Sequence, residues 1–269
     1  MSDDVVRFER RQHVALITLN RPDVRNAINP EVMVKLAAAW DRIHDDEEIR
    51  VAVITGTSAA FCSGVDLGRL IPLLTGARKP EDEWDHALVA DPAIGGKGIL
   101  RDFDVGKPVI AAVNGFAIAG GMELVMGCDI RVAASSARFG MQEVKWAIFP
   151  SGGSTVRLPN QVPYAKAMEL LLTGDLIDAP AALALGFVNH VVTDDEVVPK
   201  AMEIAGKIAD NGPVAVRAIR ASIREAVGVP EKQALKRELE LALPVFATED
   251  AREGPRAFLE KRKPVYKGR

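Results

Sequence analysis

Cysteine is scarce in this chain. Of 269 residues only Cys62 and Cys128 are cysteine, and neither sits in a CxxC pair or a Cys/His cluster. That argues against a disulfide framework and reads as free thiols in a reducing compartment, so a cytoplasmic location is expected. Histidine is equally thin: His13, His44, His86 and His190 are scattered without metal-ligand spacing. No apolar run approaches the roughly 20 residues of a membrane span. The N-terminal stretch Met1-Ser2-Asp3-Asp4 lacks the basic and apolar regions of a signal peptide. Positive charge is not in excess either. The formal net charge is −3, and no basic stripe interleaved with aromatics runs along the chain. No nucleic-acid or membrane partner is therefore expected. The phosphate-binding signatures GxxxxGK[ST] and GxGxxG are both missing.

What is present is ordinary for a globular enzyme: 48% hydrophobic and 26% charged residues. The length suits one large domain, or a domain with an appendage. Short apolar runs at residues 14–19, 51–55 and 109–113 read as buried strands, the last stopped by the turn signal Asn114-Gly115. Asn29-Pro30 opens a helix whose Met33, Leu36, Ala37, Trp40 and Ile43 line one face. Short covered strands alternating with helices predict an α/β fold. Between Leu70 and Arg101 three prolines, Gly76 and the pair Gly95-Gly96 leave little room for a long regular element, with short helical pieces expected near Trp84 and Leu88. That excursion reads either as a lid or pocket wall or as a surface loop. Residues 187–192 read as a last strand. After Asp194 the chain is mostly helical, with breaks expected at Gly212-Pro213, Gly228-Val229-Pro230 and near Gly254-Pro255.

Two stretches carry chemistry. In residues 108–123 a strand runs into the small-residue loop Ala119-Gly120-Gly121, and a helix starts near Gly121 with Glu123 in its first turn. Glycines let a ligand approach the backbone, and a helix start offers unpaired N–H groups and positive dipole. Residues 59–68 follow another buried strand with Ser63-Gly64-Val65-Asp66, placing a second backbone N–H within reach of the same point. Two converging donors suit an oxyanion or enolate. Glu143 follows the probable strand Ile130–Ala134 and precedes a Gly-rich stretch, 150–154. Two helix-start acids returned to one sheet end can act as an acid/base pair; each also has a plain reading as a dipole-pairing acid.

At these residues the sequence resembles the enoyl-CoA hydratase/isomerase (crotonase) family across nearly its whole length. The resemblance is carried by residues 20–27, 61–67, 107–129, 139–158 and 257–263 in that order. It implies a spiral of ββα turns over residues 1–195 with the coenzyme A and catalytic site, and a helical region over 196–269 that builds a homotrimer or a hexamer of paired trimers. It implies an oxyanion hole from the backbone N–H groups of Val65 and Gly120. Glu123 and Glu143, twenty residues apart as in hydratases, would be the catalytic acids. Ser63, Asp66 and Leu67 would bind coenzyme A or the rest of the substrate, Trp146 would stand near the acyl pocket, and Arg25, Ala27, Phe258 and Lys261 would contact coenzyme A. No cofactor is implied beyond the coenzyme A of the acyl-CoA substrate.

The resemblance also implies an activity: syn addition of water to a 2-enoyl-CoA, or the reverse dehydration of a 3-hydroxyacyl-CoA. Other reactions of the family, a carnitinyl-CoA dehydratase-like activity or double-bond isomerisation, remain as alternatives, and RNA binding as a remote one. The chain departs from the family pattern at Ala119, where a third glycine is frequent, at Met122, and at the bulky Trp146.

Overall fold

The structure, a computed structural model, describes residues 4–269; the first three residues of the acidic N-terminal stretch lie outside them. The chain opens with a hairpin, β1 (Val6–Arg11) and β2 (Val14–Leu19), turned by Gln12 at φ 54°. Helix α1 (Pro30–Asp45) follows, capped as its sequence predicts: Val32 N donates to Asn29 Oδ1 at 2.9 Å. Next come β3 (Val51–Gly56) and β4 (Ala60–Cys62), then α2 (Leu70–Leu74), α3 (Glu83–Ala90) and α4 (Ala93–Gly98). Strands β5 (Val109–Val113) and β6 (Phe116–Ile118) lead into α5 (Gly120–Gly127). Strands β7 (Ile130–Ala134) and β8 (Arg138–Gly140) lead through a 3-10 turn, Glu143–Trp146, to α6 (Ser154–Gln161) and α7 (Tyr164–Thr173). The remainder is β9 (Ile177–Asp178), α8 (Ala179–Ala184), β10 (His190–Val192), α9 (Val197–Ala209), α10 (Pro213–Glu225), α11 (Glu231–Phe246) and α12 (Glu249–Leu259).

Two sheets organise these elements. The first runs β1-β2-β3-β5-β7-β10, parallel from β2 onward with β1 antiparallel at the edge. The second runs β4-β6-β8-β9, with β9 antiparallel. Three successive pairs, β3/β4, β5/β6 and β7/β8, each lay one strand in the first sheet and one in the second before a helical segment returns the chain. That is the ββα spiral. The first sheet is covered on both faces, so β3 and β5 are buried almost throughout and read as continuous apolar runs.

Several expectations are corrected. The last strand covers only His190–Val192, because the Phe187 carbonyl is taken by the Arg131 guanidinium instead of a ladder partner. Helix α12 runs unbroken through Gly254-Pro255, although Pro255 lies in its interior and has no N–H for the bond one turn back. Gly95-Gly96 lies inside α4 rather than in a loop. The short strands β4, β6, β8 and β9 carry too few residues to show a period, and β1 alternates without an apolar run. Helix α9, the first of the helical tail, packs its Ala201 and Ala205 against the first sheet. The 71–100 excursion is tied down: the fully buried Asp85 receives both Arg78 Nη1 (2.5 Å) and Nη2 (2.9 Å).

Candidate active site

The predicted oxyanion donors, Val65 and Gly120, meet where β4 and β6 end. Ile28 and Val65 make an isolated parallel bridge, in which Ile28 N donates to Gly64 O (2.8 Å) and Asp66 N donates to Ile28 O (2.9 Å). The bridge uses the groups that flank Val65, so Val65's own N–H is left facing the other way. Across from it, α5 begins at Gly120, whose N–H belongs to the orphaned first turn. The two meet: a Cβ added at Gly120 would lie 3.6 Å from the Val65 nitrogen. No acceptor among the described residues takes either N–H. Gly121 allows this approach, because a Cβ there would stand 2.4 Å from Cys62 O. Ala119 turns the corner at φ 52°, ψ −125°, a conformation favouring glycine, held by Ala119 N donating to Gly140 O at 2.9 Å.

Glu123, in the first turn of α5, is only 4% exposed. Its Oε1 accepts from Gly152 N at 2.7 Å and from Ser154 Oγ at 3.0 Å. Burial pushes its pKa up, while the Ser154 and Gly152 donors and the Arg157 charge pull it back. Gly152 must be glycine: a Cβ would fall 2.1 Å from Glu123 Oε2 and 2.6 Å from Ile99 Cδ1. Glu143, 9% exposed, has the opposite environment. Its Oε2 is buried without a hydrogen-bond partner. Burial first, offset by a backbone donor, and then the neighbouring Glu123 charge move its pKa up to about 7. Two carboxyls close enough to feel each other thus sit in unlike surroundings.

Glu143 also lines a cavity of about 70 Å³ together with Ser63, Val65, Leu67, Ala119 and Trp146. Glu123 does not line it and lies deeper. The predicted substrate-binding residues Ser63, Leu67 and Trp146 are therefore brought together with Glu143 and Val65. Trp146 is 63% exposed and Phe149 70%. Asp66 plays another part: its Oδ1 accepts from Gly68 N and Arg69 N, both at 3.1 Å, and its Oδ2 from Arg21 at 3.2 Å. Both oxygens are committed within the protein and hold the loop that carries Val65. Arg25 adopts φ 52° with its guanidinium 5.9 Å from the Phe116 ring centroid, beside the buried Ala27. Phe258 and Lys261 do not line the cavity, and Phe258 is 82% exposed. Arg262, next to Lys261, is claimed by Glu253 at 2.6 Å.

Sequence reasoning passed over the residues that hold the acids. Gly152 and Ser154 were visible as a Gly-rich stretch, yet nothing in it named Glu123 as their partner. Asn26 was visible without a role: its amide donates to Thr57 O (3.0 Å) and Ala60 O (2.8 Å), clamping the Arg25 loop to the β3–β4 turn. Arg157 gave no signal.

Fold and site define a class: two free N–H groups over a buried carboxyl pair, on a two-sheet spiral, suit thioester chemistry through an enolate. The comparisons with known proteins agree. The family model for enoyl-CoA hydratase/isomerase matches residues 9–269. An enoyl-CoA hydratase of Mycobacterium tuberculosis, EchA19, is 44% identical over 97% of this chain and 96% of its own. A crotonyl-CoA hydratase of Syntrophomonas wolfei is 37% identical over 98% of both chains. The crystal structure of an enoyl-CoA hydratase from Mycobacterium tuberculosis superposes with a TM-score of 0.89 at 37% identity, covering 99% of this chain and 100% of that one. The chain belongs to the enoyl-CoA hydratase/isomerase family.

Proposed function

We propose that the protein adds water across the double bond of a 2-enoyl-coenzyme A thioester, or runs the reverse dehydration of a 3-hydroxyacyl-coenzyme A. The observation that carries this reading is the unlike pair, Glu123 held by two donors and Glu143 with its buried Oε2 left without one, beside the free N–H groups of Val65 and Gly120. The thioester oxygen accepts from both N–H groups, which draws electron density from C3. Water held between the carboxyls attacks C3 and gives a proton to Glu123. The enolate is stabilised by the two donors and takes a proton at C2 from Glu143. Oxygen bonds to C3 and hydrogen to C2 on one face, and a proton returns from Glu123 to Glu143 to restore the site. Glu143, with a pKa of about 7, keeps an available proton at neutral pH.

Coenzyme A enters as part of the substrate, and this chemistry needs no resident cofactor. In the same reading Arg25 and Ala27 meet its phosphate and adenine end, and Phe258 and Lys261 do so from this subunit or a neighbour. The protein would work as a trimer or a pair of trimers, in the cytoplasm. No helix among the described residues is long and apolar enough to cross a membrane.

The test follows loss of the conjugated thioester absorbance of crotonyl-CoA. Glu123→Gln and Glu143→Gln are each expected to slow it by roughly two to four orders of magnitude while coenzyme A still binds. Near-normal hydration by either variant would remove that residue from the mechanism. No hydration by the unaltered protein, with coenzyme A bound, would turn the reading toward another acyl group or another reaction of the family.

A further inference from the structure

The two N–H groups of the oxyanion site are backed differently. Gly120 opens α5, so its N–H draws on the positive end of that helix. Val65 lies outside any helix, in an isolated bridge. Its N–H shares a peptide unit with the Gly64 carbonyl, and that carbonyl accepts from Ile28 N at 2.8 Å. The Ile28 N–H in turn shares a peptide unit with the Ala27 carbonyl, which accepts from Arg21 Nη1 at 2.5 Å. A planar trans peptide points its N–H and C=O in opposite directions. The groups therefore form one head-to-tail chain, from the Arg21 guanidinium through two peptides to the free Val65 N–H.

We propose that Arg21 is a positioning residue that acts through Val65: its charge, passed along this chain of peptides, strengthens the Val65 N–H as a donor to the thioester oxygen. The inference rests on the oxyanion reading above. Hydrogen bonds in series polarise one another, and more so away from bulk water. The first link comes from an ionised donor, the stronger kind of hydrogen bond. The middle of the chain is dry, with Ile28 fully buried and Gly64 buried. It is also braced on both sides, because Ser63 N donates to Arg25 O at 3.0 Å and Asp66 N to Ile28 O at 2.9 Å.

Asp66 holds the guanidinium in place. Its Oδ2 accepts from Arg21 Nη1 and Nη2, both at 3.2 Å, and the two side chains are each 18% exposed. The carboxylate tempers the Arg21 charge without cancelling it. It stands farther from Nη1 than the Ala27 carbonyl does, and its Oδ1 is shared with the Gly68 and Arg69 N–H groups. The Arg21 backbone is fixed as well: its N–H donates to Asn26 Oδ1 at 2.8 Å, and its carbonyl accepts from Asn26 N at 2.9 Å.

A purely mechanical role would need only a donor on the Ala27 carbonyl, which glutamine can supply without charge. Butyryl-CoA labelled with carbon-13 at its carbonyl separates the two, since this saturated thioester cannot be hydrated. Bound to the unaltered protein, its carbonyl signal should move downfield. Arg21→Gln and Arg21→Met should lose much of that movement, and Arg21→Lys should keep most of it. With crotonyl-CoA, kcat of Arg21→Gln should fall about tenfold, less than the loss of a whole donor, with KM changed by less than about threefold. A carbonyl shift as large in Arg21→Gln as in Arg21→Lys overturns the proposal. Amide spectra of the unaltered protein give a second reading that needs no variant. Butyryl-CoA should move both the Val65 and the Ile28 amide protons downfield, and an Ile28 signal that stays put while Val65 moves overturns the proposal too. A bound carbonyl that does not shift in the unaltered protein would defeat the oxyanion reading itself, whereas a shift indifferent to residue 21 would defeat only the relay.

Discussion

At the residue scale the site works by contrast. Glu143 should make the protein's stability fall as pH rises. Its folded pKa of about 7 lies above the ordinary glutamate value of 4.5, so between those values the folded chain holds a proton that the unfolded chain has lost. By linkage, stability then decreases with rising pH across that window and levels off above it. Denaturant titrations of Glu143→Gln should show the variant gaining on the unaltered protein from pH 4.5 to pH 7.5, by on the order of 2–3 kcal/mol. A difference that stays flat with pH would mean that Glu143 is not buried as described. Hydration should decline above pH 7 as Glu143 loses its proton. Gly152→Ala tests the other acid. Its methyl group would occupy the place of Glu123 Oε2, so turnover should drop about a hundredfold or more, with coenzyme A binding retained. Equal activity would show that the Glu123 carboxylate can move without consequence.

At the scale of elements, α5 sets the geometry. Its N-terminal end carries the free Gly120 N–H and the buried Glu123, and its C-terminal end is held by Arg131. That guanidinium donates to the carbonyls of Val125 (3.1 Å) and Phe187 (2.9 Å) and to Gln161 Oε1 (2.8 Å), with its plane 4.5 Å from the Phe187 ring centroid. Arg131→Met leaves those buried acceptors unsatisfied, and should cost about 3 kcal/mol or more in chemical denaturation. A loss below about 1 kcal/mol would mean that α5 is fixed from its N-terminal end alone. The α5 start was legible in the sequence because glycines and an acid at a helix opening have a local cause. Arg131 was not, since its partners lie far along the chain and no periodicity announces them.

On the scale of the whole molecule the helical tail leaves apolar surface uncovered. Leu235, Leu239, Leu243 and Phe246 of α11 are exposed at helical spacing, beside the exposed Ile219 and Ile223 of α10. Exposed apolar area of this kind fits the proposed assembly of copies of the chain. Sedimentation should find a trimer or hexamer, and Leu239→Asp with Phe246→Asp should shift it toward smaller species. A monomer at micromolar concentration in the unaltered protein would refute the assembly. The tail itself is well anchored: Lys267 N and Gly268 N each donate to the Asp250 carboxylate at 2.7 Å, and Arg50 Nη2 to Tyr266 O at 2.9 Å.

What the sequence by itself determined was local: the strands β2, β3, β5 and β7 of the first sheet, the Asn29 cap, the tight glycine turn into α5, and, through the resemblance, the family and the pair Glu123 and Glu143. These depend on residues within a few positions of one another, or on motifs read in order. The tertiary structure alone decided the second sheet, whose strands of two or three residues form because the first sheet delivers them side by side. It alone turned the Val65 N–H away from its bridge and against Gly120, placed Gly152 and Ser154 on Glu123, and left Glu143 Oε2 without a donor. Those are long-range contacts, and the proton affinities of the two acids follow from burial and neighbouring charge. Neither quantity exists until the chain has closed on itself.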